Sequence, residues 1–421
     1  MNWEQKWLYN KKELLLYVAL AAIGFLSSLL TYRLLDGYAF ESGKNLAGVF
    51  VPPSLCIGYT AYTTYRCNTT KTLLYKTLLL FIFQILPFVP LFFQTFVPTP
   101  TDDFNRYYLY AKNMIEQHTL WGGDKLYFPN AGYYYVTQPG YRYFIALELL
   151  SFGGLYRFVQ FINIGLLITA TVCFQKAIKN FVADRSLQRC LLLLTVLLTP
   201  YATKNLLMGL SEWLTALLLM MSCYLYGQKR KLAFVLLLLS LIPFFRQNLL
   251  IAMVLLAGFI VISNPRKLRL ALVFLVPLLL PLYHNLYYAG EWRFFVKLFT
   301  TPLLNDSKST GLDLRVFLIN LYRLFGFERV NGNMRFDLFA FTFLPFSTGL
   351  YFFLLRRFQK DRTRLLYVII TLAVILPGLY LGKDYYPRFE FVSVVAFITT
   401  YCMLKNHFRR HSLSTQTFKF L

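Results

Sequence analysis

The run LLLLTVLL at residues 191–198 decides the class of fold. A membrane-crossing strand needs about ten residues that alternate apolar and polar, and this stretch does not alternate. Runs of comparable character recur along the chain, many close to the ~20 residues that cross a ~30 Å hydrocarbon core as a helix. Composition agrees: 57% of the residues are hydrophobic and the mean hydropathy is +0.49. Soluble chains run at about 45–50% apolar. Phe and Tyr contribute 42 and 31 residues, as suits a chain that meets both lipid and interface.

Working outward from that run, the sequence reads as all-α, a polytopic transmembrane bundle of about 12 helices forming a single domain over 1–421. The helices fall at roughly 14–35, 46–66, 73–97, 154–175, 187–203, 206–226, 231–245, 247–263, 267–288, 338–356, 364–382 and 387–405. The pair 231–245 and 247–263 is short, and reads equally as a re-entrant or tilted hairpin. An even number of spans puts both termini on one side. No cleavable signal is expected, because the first apolar run is long enough to stay as a helix.

A net charge of +24 raises nucleic acid as a partner, but position decides the matter. Of the 43 basic residues, 24 fall in short segments on the side of the N-terminus, with Glu4, Glu13, Asp184 and Asp361 as the acids there. Lys176, Lys179, Arg185 and Arg189 form one such cluster; Lys229, Arg230 and Lys231 form another; Lys71 and Lys76 join a third. Lys and Arg accumulate in cytoplasmic loops, so this side is cytoplasmic and no nucleic-acid partner is expected. The cytoplasmic segments are too short for a βαβ unit of ~30 residues, which leaves soluble nucleotide donors no place to bind inside. The six cysteines lie in helices or at their cytoplasmic ends and include no CxxC pair, so neither a disulfide framework nor a metal site is indicated.

Two outer segments are long, 98–153 and 289–337. The first opens with FVPTPTDDFNRYYLYA at 96–111, followed by a helical pattern through residue 120. Phe104, Tyr107, Tyr108, Ala111, Met114, Ile115 and His118 share one face of it. That helix is too polar to span and should lie along the interface. A second short aromatic stretch, YRYFIALELLSFGG, precedes the next span, so the loop folds back as a ceiling over the bundle.

The chemistry concentrates at this outer end. Asp102 and Asp103 would cap the helix that follows and complement its dipole. Alternatively, one caps while the other acts as a general base, its pKa raised by apolar surroundings. Arg246, His284, Asn285, Lys383, Arg388 and Arg142 lie near the outward ends of helices. Ionisable groups at such depth usually face a cavity or a partner, though each could instead snorkel to the headgroups. Arginine suits a phosphate, to which its fork donates two hydrogen bonds. Tyr141, with Tyr133, Tyr134, Tyr135 and Tyr143, could stack on a sugar or form an aromatic belt. Glu212 is placed to pair with a cation.

The Asp pair, Gln138–Pro139–Gly140, Phe152–Gly153, Arg157 and Tyr386–Pro387–Arg388 together resemble the GT-C superfamily of membrane glycosyltransferases. Protein O-mannosyltransferases and the lipid A aminoarabinose transferase are familiar members. The resemblance implies a polyprenyl-phosphate-linked sugar donor and a glycan, lipid or protein acceptor. With the charge pattern it puts the active site on the outer face; a bacterial cytoplasmic membrane is preferred to the endoplasmic reticulum, and both stay open. Asp103 or Asp102 would be the base, and Arg246, Arg388 or Lys383 would hold the phosphate. No cofactor is required; a divalent cation is conceivable, but two adjacent aspartates alone make a weak site. Two other readings stay open. A lipid-linked saccharide transporter or flippase would share the many helices and buried cations, and an O-antigen polymerase or ligase would rest its chemistry on Arg293 to Arg335.

Overall fold

The computed structural model describes residues 70–94, 96–97, 102–118, 139–228, 231–264, 267–289, 327–330, 333–336, 350–358, 361–380 and 386–417. The expected helices at 14–35 and 46–66, residues 98–101 and 119–138 of the first expected outer segment, and most of the second lie outside the described residues. Helix dominates what is described, as expected of an all-α chain. An antiparallel hairpin, β1 (Phe327–Val330) and β2 (Asn333–Phe336), is an addition within the segment 289–337. Its register pairs Phe327 with Phe336 and Glu328 with Arg335.

Two helical stretches, Gly140–Phe181 and Arg185–Leu207, are long and apolar enough to cross a membrane, judged by length and composition. Glu212–Tyr226, Leu232–Phe245, Gln247–Ile262 and Leu268–His284 are apolar but shorter. The chain divides into two compact units, residues 1–106 with 148–213, and residues 107–147 with 214–421.

The first unit is built from α1 (Thr70–Ile85), α2 (Val89–Phe92), the head of α3 (Asp102–Glu116), the end of α4 (Pro139–Phe152), α5 (Val159–Phe181), α6 (Arg185–Leu197) and α7 (Thr199–Leu207). Several expected helices are divided here for local reasons. The one at 73–97 gives way to a 3-10 turn at Leu86–Phe88 with Pro87 in its first turn, where a missing N–H does no harm. The one at 154–175 starts later, after Gly153 at φ 48° and a 3-10 stretch, and runs on to Phe181. Asp184 sets the start of α6 by accepting from Ser186 N at 2.9 Å and Leu187 N at 3.3 Å. Gly209, at φ 65°, closes α7, so the next helix begins at Glu212 rather than 206.

A polar seam ties these helices together. The Gln175 amide of α5 donates to Thr77 of α1 and Thr195 of α6, each at 3.0 Å. Gln84 of α1 donates to Thr199 at 3.1 Å and accepts from Thr203 at 2.7 Å, both on or beside α7. Outward, the unit shows apolar side chains: Phe158, Phe161, Ile162 and Leu166 are exposed along one flank. Lys76, grouped by the charge pattern with a cytoplasmic segment, is fully buried within α1.

The second unit holds the rest of α3 and α4, α8 (Glu212–Tyr226) from Leu214 on, α9 (Leu232–Phe245), α10 (Leu250–Ile262), α11 (Lys267–Leu278), α12 (Leu280–Ala289), α13 (Asp361–Tyr380) and α14 (Tyr386–Thr417). α9 packs along α11 and α10, α10 against α13, and α13 against α14. The helices α9 and α11 carry interior prolines, Pro243 and Pro277. The α13–α14 seam is aromatic: Tyr367 packs against Tyr351 at 5.8 Å, Phe358 at 5.1 Å and Tyr401 at 6.4 Å between ring centroids.

Candidate functional site

α3 begins at Asp102, so both aspartates occupy its first turn, where a carboxylate complements the helix dipole. The Asp102 side chain lies outside the described residues; Asp103 is half-buried. The residue after it fixes the position of the pair. Phe104 is buried with its ring directly against Gly209, at the turn between α7 and α8. Any Cβ at Gly209 would overlap that ring, and φ 65° is in any case a conformation L side chains rarely adopt. Leu210 N returns to Asn205 O at 2.9 Å and completes the turn. Ser211 and Glu212 follow, both buried. The first unit therefore brings the head of α3, with Asp103, onto the turn that presents Glu212.

The expected face of α3 is correct at Phe104, Ala111 and Met114, which are buried, and partly so at Tyr107, Tyr108 and Ile115. Two positions differ. Tyr110 is buried, and His118 is exposed beyond the helix end at φ 51°. Once the helix stops at Glu116, helical periodicity no longer governs His118. Burial pushes the Tyr108 phenol up, against the pull of Lys112.

Arg142 and His284 meet in the second unit. The Arg142 guanidinium, fully buried, lies 2.5 Å from His284 Nε2, and the Tyr143 hydroxyl lies 2.9 Å from Nδ1. Arginine only donates, so Nε2 must accept and Nδ1 must carry the hydrogen given to Tyr143. Tyr143 also stacks on Phe244 at 5.6 Å. Gly140 permits this approach: a Cβ there would sit 2.7 Å from the Phe244 carbonyl. Two residues after Phe244 comes Arg246, buried, in extended backbone between α9 and a 3-10 turn at Gln247–Leu249. Tyr141 is buried edge-on to Tyr107 at 5.2 Å, a contact between aromatic rings rather than an open stacking platform.

Of the expected binding residues, Arg142, His284, Tyr141 and Arg246 thus belong to the second unit, while Asp103 and Glu212 belong to the first. Arg388 falls in the first turn of α14, but its side chain and that of Asn285 lie outside the described residues, as does Lys383 altogether. Among the described residues no group of three His, Cys, Asp or Glu side chains gathers. Sequence reasoning missed Glu148, whose buried carboxyl faces Asn163 and Tyr156 in the first unit. Its signal was a lone acid inside the apolar stretch FIALELL. For the hairpin, the signal in the sequence was the dipeptide Asn331–Gly332, a pair favoured between antiparallel strands.

No family model, curated protein or solved structure matches the chain.

Proposed function

We propose that the protein is a multi-pass membrane glycosyltransferase of about 12 helices, acting at the outer face of a bacterial cytoplasmic membrane. It moves a sugar from a polyprenyl-phosphate donor to an acceptor hydroxyl. The observation that carries this reading is the anchoring of the Asp pair: Phe104, locked over Gly209, holds Asp103 half-buried beside the turn bearing Glu212. A helix cap alone needs no such fixture. In the reaction, Asp103 or Asp102 takes the proton of the acceptor hydroxyl as its oxygen bonds to the anomeric carbon. The bond from that carbon to the phosphate oxygen breaks, and the electron pair leaves with polyprenyl phosphate. Direct displacement inverts the anomeric centre. Arg246, Arg388 or Lys383 would stabilise the departing phosphate, and Arg142 and His284 are further candidates for holding the substrate.

The test is transfer from a radiolabelled polyprenyl-phosphate sugar pool by the reconstituted protein. Asp103→Asn or Asp102→Asn should reduce transfer by 100-fold or more, in line with loss of a general base. Full transfer by both variants would end the catalytic assignment. A saccharide flippase is the second reading, favoured by the short apolar helices α9 and α10 with a polar tip between them. It would be chosen if the labelled lipid changes leaflet without losing its sugar.

A further inference from the structure

The tip joining α9 and α10 is three buried polar residues in a row, Arg246, Gln247 and Asn248. At 14 and 13 residues the two helices are each ~20 Å long, short of a ~30 Å core. Their feet, at Lys229–Lys231 and at Arg266–Arg269, are basic and by the charge pattern face the same side. The tip therefore stops inside the outer half of the bilayer and is walled by α13.

An asparagine just before a helix ordinarily caps it. Here that explanation fails. The residue flanking α10 is Leu249, and it makes no side-chain cap bond. Both the amide nitrogen and the amide oxygen of Asn248 are buried without a hydrogen-bond partner among the described residues, and the residue is 3% exposed. Burying an amide with its donor and acceptor both unused is unfavourable unless a ligand supplies the missing partners. A hydroxyl group, which donates and accepts, matches both at once. At the same tip begins the continuous helical run Gln247–Ile262, whose first backbone N–H groups favour an anion, and the residue before it is the buried Arg246. A hydroxyl next to an anion is the chemistry of a glycosyl phosphate.

We propose that this tip is the sugar-reading subsite: Asn248 holds a hydroxyl of the donor sugar while Arg246 and the N-terminus of the helical run Gln247–Ile262 hold its phosphate. The assignment rests on the lipid-phosphate donor proposed above and adds that the sugar is selected below the membrane surface by an amide.

The full chain in nanodiscs is titrated with farnesyl phosphoryl-mannose, farnesyl phosphoryl-galactose and, as the sugar-free reference, farnesyl phosphate. The protein should bind at least one of the two glycosyl probes about tenfold more tightly than the reference, as expected of one well-made buried hydrogen bond. Asn248→Leu should abolish that preference and leave the affinity for farnesyl phosphate unchanged. Its ligand-free melting temperature should not fall, because the native amide has no partner to lose. Retention of the preference by Asn248→Leu overturns the assignment. So does a lowered ligand-free melting temperature with all affinities falling in parallel, which would mark Asn248 as structural. Equal binding of all three probes by the unaltered protein sinks the subsite but spares the donor class; failure to bind any of them sinks the donor class as well.

Discussion

Gly209 is the residue on which the Asp pair depends, although it lies over a hundred positions away in sequence. Gly209→Ala adds a methyl where the Phe104 ring already sits and forces an alanine to φ 65°. The backbone term alone is about 1–2 kcal/mol. The variant should melt earlier in detergent and lose transfer together with stability, whereas Phe104→Leu, which vacates ring volume, should partly restore Gly209→Ala. In the second unit, Gly140→Ala meets the Phe244 carbonyl at 2.7 Å, a backbone atom that cannot rotate aside. Separation of α4 from α9 would follow, read as a lower melting temperature and weaker binding of farnesyl phosphate. His284→Ala removes an acceptor from a buried guanidinium and should cost about 1–3 kcal/mol in thermal or denaturant unfolding. His284→Gln, which can still accept, should lose less.

At the level of elements, the polar seam of the first unit makes a graded prediction. Gln175→Leu deletes the hydrogen bonds that its amide gives to the Thr77 and Thr195 hydroxyls, together with the one that Thr77 gives to its oxygen. Interhelical bonds between membrane helices are worth about 0.6 kcal/mol each on average, up to ~2, so a loss of roughly 1–3 kcal/mol is expected. The loss should be smaller in Asp184→Ala, at about 1 kcal/mol for one exposed cap. Gln84 and Gln175 are also where sequence reading stops short. Apolar runs located helices among the described residues because burial in lipid or in protein selects the same residue types, but for that reason they could not say which face meets protein. The breaks at Pro87, Gly153 and Gly209 were visible as residues; what they do depends on tertiary packing, as Phe104 over Gly209 shows. Asp103 stood out as a candidate because acids are scarce in this chain. The pairing of Arg142 with His284 did not, because 142 positions separate them.

For the whole molecule, the charge pattern makes the firmest prediction. His118, exposed after α3, should lie outside, and Gln228, beside Lys229–Lys231, should lie inside. With the six native cysteines replaced, His118→Cys should react with a membrane-impermeant maleimide on intact cells. Gln228→Cys should react only after permeabilisation, and the opposite result would invert the orientation and remove the outer-face site. The short hairpin of α9 and α10 does not disturb this reckoning. Counted as two crossings or as none, it leaves every later segment on the same side. It does bear on the order of assembly. The wall that covers its tip, α13, is synthesised more than a hundred residues after Asn248. During that interval an arginine, a glutamine and an asparagine stand at the head of the α9–α10 hairpin with one side of their enclosure missing. A nascent chain paused before Asp361 should therefore expose residues 246–248 to water-borne reagents, and release of the pause should close them off.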